Sequence, residues 1–224
     1  MPNIKLYGRE VFAIDEFNNG FHNPKLPMII GGSLIHPFLR AQNGNHYPYE
    51  RKKFALSNNP SERIQFRKRA REFLKKNPNF CYTTLTKADV ERYGLSGRAK
   101  AMASLVACAI EIYPEARKNL VVLFHTIDYN DDSNFVRKTL SDLLSDAKID
   151  ADVLFKQDDN NNRYLRRVDR TVYYIGGLKY GSSSKRWPYR HPSKKIEPNY
   201  IGQYIYNHLL YDDTFFIEQR LSKK

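Results

Sequence analysis

Residues 120–124, with the sequence Leu-Val-Val-Leu-Phe, form the stretch that most restricts how this chain can fold. The run is apolar throughout and shows no alternation of polar and apolar positions. A run of this kind is typical of a central strand whose two faces are both covered. Helix and strand patterns alternate before and after it, which indicates helices packed on one sheet. We therefore predict an α/β domain.

The predicted elements follow the order strand, strand, helix, strand, helix, strand, helix, strand, helix. The first two predicted strands are close enough in sequence to form a hairpin, and helices connect the later strands. The predicted sheet is therefore mixed, with antiparallel and parallel pairs. The strongest helix start is Asn59-Pro60, where an N-cap residue precedes a proline at the first helical position. We assign residues 1–178 to the core domain and residues 179–224 to a basic C-terminal extension of the same domain.

Two later helices have less distinct ends. The helix after the central strand is predicted to begin at Ser133 or Asn134 and to bury Phe135 in its apolar stripe. The last helix of the core is predicted to run from about residue 163 to Gly176-Gly177, because glycine commonly ends helices. The two cysteines, at positions 81 and 108, lie in apolar surroundings and are predicted to be reduced core residues.

Carboxylates follow several of the predicted strands. Asp15 and Glu16 end the first strand, Asp128 follows the central strand, and Asp158 or Asp159 follows the next one. Strand ends on one side of an α/β sheet converge, and clustered carboxylates repel one another unless a cation neutralises them. Mg²⁺ and Mn²⁺ prefer such oxygen ligands and can act on phosphodiesters, so the pattern indicates a divalent metal site. The alternative is that each acid simply opens a turn.

The charge of the chain indicates a polyanionic partner. The formal net charge is +13 and the sequence pI is about 9.6, values that favour nucleic acid or an anionic surface. No apolar run approaches the roughly 18 residues of a membrane span, so we expect no membrane partner. The first five residues lack the apolar region of a signal peptide, so we expect an intracellular, cytoplasmic protein. The histidines show no zinc spacing, and we expect no small-molecule cofactor beyond the metal.

Basic residues are concentrated in a helix and in a late loop. The helical residues recur at four-residue spacing, and the loop of residues 179–199 mixes cations with aromatic side chains that can stack on bases. The candidate nucleic-acid-binding residues are Arg63, Arg67, Arg71, Lys156, Arg166, Arg167, Lys185, Arg186, Trp187 and Arg190. The alternatives are a solvated helix face and a solvated linker.

Several short motifs occur in the order found in one enzyme family. They are Ile14-Asp15-Glu16-Phe17-Asn18-Asn19-Gly20, Ile29-Ile30-Gly31-Gly32, Ile127-Asp128 and Lys156-Gln157-Asp158. Together they resemble the ribonuclease H superfamily, and most closely the type 2 enzymes (ribonuclease HII). The resemblance implies a ribonuclease H-like fold and a nuclease that uses Mg²⁺ or Mn²⁺ to hydrolyse RNA or an RNA/DNA hybrid. The catalytic and metal-binding residues that it implies are Asp15, Glu16, Asp128, and Asp158 or Asp169.

The chain departs from the family pattern at two places. Asn18-Asn19-Gly20 stands where the family carries Gly-Arg-Gly, and the last core helix lacks the family's small residues. Other branches of the superfamily place their last acid on that helix, so Asp169 competes with Asp158. Two further hypotheses therefore stay open. One is a nucleic-acid-binding protein that keeps the fold without catalysis, and the other is an unrelated α/β fold whose acids are turn residues.

Overall fold

The computed structural model describes residues 9–17, 27–35, 59–76, 80–127, 130–156, 162–180, 194–195 and 217–220. The strands are β1 (Glu10–Phe17), β2 (Met28–Ile35), β3 (Phe80–Leu85), β4 (Leu120–His125), β5 (Ala151–Lys156), β6 (Lys194–Lys195) and β7 (Ile217–Arg220). The helices are α1 (Pro60–Lys76), α2 (Lys87–Ile112), α3 (Asn130–Asp146) and α4 (Arg163–Tyr180). A short 3₁₀ helix, Pro114–Lys118, leads into β4.

The strands form one mixed sheet in the order β5-β4-β1-β2-β3-β7-β6. β1, β2 and β3 are antiparallel neighbours, whereas β1, β4 and β5 run parallel to one another. The predicted opening hairpin pairing and the helical crossovers are therefore confirmed, and β4 is an interior strand between β5 and β1. The short strands β6 and β7 extend the sheet beyond β3.

Helices cover both faces of the sheet and produce three layers. On one face, α2 and α3 pack on side chains such as Phe12, Ile14 and Phe124. On the other face, α4 packs on Val11 and Ala13 of β1, and α1 packs against α4. The strand β4 contributes buried side chains to both faces, which explains why its sequence is apolar without alternation.

The helix start predicted at Asn59-Pro60 is present, and α2 has a capped start and an internal break. The Asn59 side-chain oxygen accepts a hydrogen bond of 3.0 Å from the backbone N–H of Ser61 and caps α1. The Thr86 and Asp89 side chains form a reciprocal capping box at the start of α2. Gly94 interrupts α2 at φ 54° and ψ −143°, a conformation that favours glycine.

β1 ends one residue beyond the acid pair, at Phe17, and Asp15 and Glu16 still pair with Gly31 and Ile30 of β2. The alternative that these two acids open a turn is therefore wrong. Two further predictions are also wrong. Helix α4 continues past Gly176, because this glycine lets the helix approach the Phe17 ring, and a β-carbon there would lie 2.5 Å from a ring atom. Phe135 is 50% exposed, because α3 packs on the sheet through Val136, Leu140 and Leu144, and Phe135 lies about 100° around the helix from Val136, away from that face.

The two cysteines are free and buried, as predicted. Burial raises the pKa of the Cys108 thiol to about 12, and burial also raises the pKa of Cys81. Neither thiol is therefore suited to nucleophilic chemistry near neutral pH. Among the described residues, no helix is long and apolar enough to cross a membrane. Most of the predicted basic extension, residues 179–224, lies outside the described ranges.

Helix α4 crosses the sheet in close contact with Gly31 of β2. A β-carbon built on Gly31 would lie 2.4 Å from Cγ1 of Val172, so any larger side chain there must displace the Val172 side chain or the helix that carries it. Gly31 is paired with Asp15 across the β1–β2 ladder, so this contact sets the distance of α4 from the face that carries Asp15.

We expect Gly31→Ala to lower the free energy of unfolding by about 1–3 kcal/mol, as overpacking of a dense core commonly does. Chemical denaturation monitored by circular dichroism measures this change. Ser141→Ala, on the exposed side of α3, is the control and should change the free energy by no more than about 0.5 kcal/mol. Equal effects of the two substitutions would show that α4 adjusts freely at this point.

Candidate functional site at the carboxyl ends of β1 and β4

The candidate site lies where β1 and β4 both end, at the carboxyl ends of the parallel strands. We call this end of the sheet the carboxyl edge. The two strands are parallel neighbours, with Ile14 paired to Phe124, so their carboxyl ends emerge at the same edge. This confirms that the chain leaves β1 and β4 on one side of the sheet. The predicted metal ligand Asp128 follows directly after Ile127 at this edge, but it lies outside the described residues.

Asp15 is a buried acid at this edge. Its side chain lies on the α4 face of the sheet, the face that also carries Val11 and Ala13, and the residue is only 8% exposed. Its Oδ1 accepts a hydrogen bond of 2.7 Å from the backbone N–H of Glu16. A buried carboxylate requires hydrogen bonds or a counter-charge, because desolvation penalises the charged form.

Glu16 lies on the opposite face of the sheet, since neighbouring side chains of a strand alternate. Its Oε2 lies 3.4 Å from a terminal nitrogen of Arg98, which projects from α2. The side chains of Glu16 and Arg98 are 8% and 9% exposed, so the contact is a buried ion pair. The two adjacent acids of β1 therefore face different helices and have different surroundings.

Arg98 was not among the residues that the sequence singled out. It stands at the start of the part of α2 that is buried nearly all round, from Ala99 to Ile110. A lone arginine at such a position needs a buried acid as a partner, and that requirement was the available signal. The identity of the partner, 82 positions away, could not be deduced from spacing.

The backbone that leads from β4 to Asp128 is held by hydrogen bonds from α3 and β5. The Ser133 hydroxyl accepts from the backbone N–H of Ile127 at 3.0 Å and donates to the Ile127 carbonyl at 3.3 Å. The backbone N–H of Thr126 donates to the carbonyl of Lys156 at 3.0 Å. Ser133 therefore does not cap α3, as had been predicted, but fixes the chain immediately before Asp128.

Of the two candidates for the last acid, only Asp169 lies within the described residues. Asp169 is half-buried on α4, one helical turn before Val172, the residue that contacts Gly31 beside Asp15. This places Asp169 on the helix that covers the Asp15 face. Asp158 and its neighbour Asp159 lie outside the described ranges.

The described residues alone do not form a complete metal centre. Within these ranges, no three His, Cys, Asp or Glu side chains lie close enough together to hold a metal ion. The chemistry of the available donors nevertheless fits Mg²⁺ or Mn²⁺, because Asp15 and Asp169 are carboxylates and these ions prefer oxygen ligands. A full ligand set at this edge would require Asp128.

The predicted nucleic-acid-binding residues differ in how exposed their side chains are. Arg67 and Arg71 are half-buried at the border of the apolar face of α1, and Arg166 is half-buried on α4. Arg167 is more enclosed, since its Nε is buried without a hydrogen bond to any residue that the structure describes, and burial lowers its pKa. Lys156 is exposed at the end of β5. The side chains of Arg63, Lys185, Arg186, Trp187 and Arg190 lie outside the described part of the chain.

Charge is distributed unequally between the two helical layers. Helices α1 and α4, which share one face of the sheet, carry twelve Lys and Arg residues against three Asp and Glu residues. Helices α2 and α3, on the other face, carry six basic and seven acidic residues. The formal charges are therefore +9 and −1, so the positive field is strongest on the α1–α4 layer, which also covers Asp15.

Comparisons with known proteins identify a similar fold. No protein-family model matches the chain, and no curated protein sequence matches it. Among solved structures, the crystal structure of a mutant of Bst-RNase HIII matches with a TM-score of 0.50 and 13% sequence identity. The match covers 75% of this chain and 52% of that chain, so this chain spans about half the length of the protein it resembles.

At this sequence identity the likeness concerns the fold. The architecture of this chain is a mixed sheet in which an antiparallel β1–β2–β3 unit adjoins the parallel strands β4 and β5, with helices on both faces. This is the fold class that the sequence motifs implied. The chain has a ribonuclease H-like fold.

Proposed function

We propose that this protein is a divalent-metal-dependent nuclease that hydrolyses phosphodiester bonds in RNA or in an RNA/DNA hybrid. One observation carries the proposal: Asp15 is a buried carboxylate at the shared carboxyl edge of β1 and β4, in a ribonuclease H-like sheet. Open α/β sheets place their sites at this edge, and a buried acid there is a candidate for a functional group.

The proposed metal ligands are Asp15, Asp128, and either Asp158 or Asp169. A bound Mg²⁺ or Mn²⁺ would activate a water molecule and stabilise the negative charge that develops on the phosphate. The chain itself would hold the nucleic acid through phosphate contacts from the basic α1–α4 layer. Ser133 would position Asp128 by fixing the backbone at Ile127.

The test is a cleavage assay with labelled single-stranded RNA, single-stranded DNA, an RNA duplex and an RNA/DNA hybrid. Each substrate is incubated with Mg²⁺, with Mn²⁺ and with a chelator. Cleavage of RNA or of the hybrid that requires a divalent ion would support the proposal. Binding without cleavage under every condition would refute it.

A second candidate function is nucleic-acid binding without catalysis. The buried pair of Glu16 and Arg98 favours it, because one of the two acids of β1 is already neutralised by the protein. Both candidates share the basic α1–α4 layer and differ only in whether a metal is used. The cleavage assay therefore separates them.

If the α1–α4 layer contacts phosphates, nucleic-acid affinity should fall steeply with salt concentration, because each neutralised phosphate releases counterions. We expect Arg67→Gln/Arg166→Gln to weaken binding and to reduce the slope of log affinity against log salt by about 1 for each phosphate that the variant no longer neutralises. Fluorescence anisotropy with a labelled hybrid at several salt concentrations measures the slope.

The matched control removes two positive charges from the other face of the sheet. Arg137→Gln/Lys138→Gln on α3 causes the same change in net charge, and it should leave the salt slope close to that of the wild type. An equal reduction of the slope in both double variants would show that only net charge matters and that the α1–α4 layer is not the binding face.

A further inference from the structure

We infer that Arg98 takes the place of a divalent cation at Glu16, so that Glu16 is withheld from metal binding. Any divalent ion would then be held by the acids on the Asp15 side of the sheet. The inference rests on the proposed function, since it concerns how the proposed metal site divides the two acids of β1. It also departs from the expectation that the Asp15-Glu16 pair binds metal together.

The geometry separates the two acids before any ion binds. Asp15 lies on the face covered by α4, whereas Glu16 lies on the face covered by α2, where the Arg98 guanidinium is 3.4 Å from its Oε2. Both members of the ion pair are more than nine-tenths buried. A cation is therefore already present beside Glu16 and is supplied by the chain itself.

The position of Arg98 is set by the interruption of α2. Gly94 adopts a positive φ of 54° and changes the direction of the chain before the buried part of the helix begins. Gly97 then packs closely on Tyr93, since a β-carbon at Gly97 would lie 2.7 Å from Tyr93 Cβ. Arg98 follows directly and is buried at 7% exposure, so its direction is determined by packing as well as by charge.

The chemistry of the pair excludes easy replacement by a metal ion. Arginine side chains stay protonated in proteins, so the positive charge beside Glu16 is permanent. A divalent ion bound to the same carboxylate would lie close to that charge and would be repelled by it, most strongly in a buried environment. Binding would require Arg98 to move out of a packed position.

The experiment measures Mn²⁺ binding by isothermal titration calorimetry and by electron paramagnetic resonance of free Mn²⁺, using the full chain. The variants are Glu16→Gln, Arg98→Met, Arg98→Lys and Glu16→Gln/Arg98→Met, with circular dichroism to confirm folding. We expect Glu16→Gln to retain the wild-type number of bound ions and an affinity within about twofold, whereas even an outer partner of a metal ligand commonly contributes about 10–100-fold.

The variants at Arg98 test the same inference by removing or replacing the cation instead of the acid. Arg98→Met should bind one further Mn²⁺, and the double variant should lose that ion, since Glu16 would be its ligand. Arg98→Lys keeps a cation beside Glu16 and should bind the same number of ions as the wild type. If Arg98→Met does not fold, Glu16→Gln alone decides the question.

Two results would overturn the inference. One is a loss of about 10-fold or more in the Mn²⁺ affinity of Glu16→Gln, which would make Glu16 a ligand despite Arg98. The other is a folded Arg98→Met that binds no further ion. Failure of the proposed function would give a different result, because the wild type would then bind no Mn²⁺ and cleave no substrate. In that case, an ion that Arg98→Met binds through Glu16 would still support the role of Arg98.

Discussion

Asp15→Asn is expected to lose metal-dependent cleavage by at least about 100-fold while the protein folds normally, because replacing a group that acts on the transition state commonly costs that much. The amide keeps the size of the side chain and keeps an oxygen that can accept the 2.7 Å hydrogen bond from Glu16. It removes the negative charge that a divalent ion requires. Initial cleavage rates at saturating Mg²⁺ and Mn²⁺ measure the loss.

The same substitution should leave nucleic-acid binding unchanged or slightly stronger. The reason is that a negative charge near the phosphates is removed, while the basic residues of α1 and α4 are retained. Asp142→Asn, on the exposed side of α3, causes the same change of charge away from the site and should cleave at the wild-type rate. If Asp15→Asn also cleaves at the wild-type rate, the active site lies elsewhere in the chain.

Arg98→Met should cause the largest loss of stability among the variants considered. Removing one partner of a buried ion pair leaves the other charge buried and uncompensated, which commonly costs about 3–5 kcal/mol. Chemical denaturation in the presence of a chelator measures the change without interference from a bound metal. Glu16→Gln/Arg98→Met should recover much of the loss, since the uncompensated charge is then absent.

An exposed pair of the same helix provides the matched control. Lys87 and Glu91 lie 3.5 Å apart at the start of α2, with side chains that are 57% and 66% exposed. Lys87→Met should cost no more than about 1 kcal/mol, because water screens such pairs. A similar small cost for Arg98→Met would mean that Glu16 readily finds another partner, and the ion pair would not be a fixed part of the core.

The sequence predicted most of the secondary structure because the relevant signals are local. The apolar run of residues 120–124 identified the strand β4, since a strand that is covered on both faces lacks alternation. Asn59 marked the start of α1 through a hydrogen bond to a residue two positions away. The order of strands and helices then restricted the fold to an α/β class, and the motifs at the strand ends indicated the ribonuclease H-like arrangement.

The same local reasoning was wrong where a distant residue determined the outcome. Gly176 was expected to end α4, but the Phe17 ring from β1 packs against it, and the helix continues. Phe135 was expected in the core, but α3 packs on the sheet through Val136, Leu140 and Leu144, which leaves Phe135 on the solvent side. In both cases packing between elements outweighed a single-residue preference.

The candidate site shows the same division. The sequence placed two acids at the end of β1 and one after β4, and the parallel pairing of these strands places their ends at one edge. Only the tertiary structure decided that Asp15 and Glu16 contact different helical layers and that Glu16 forms an ion pair with Arg98. The sequence of a strand predicts that neighbouring side chains lie on opposite faces of the sheet. The charged groups that contact those side chains come from helices packed on the sheet. Only this long-range packing brings Arg98 to Glu16, a residue 82 positions away.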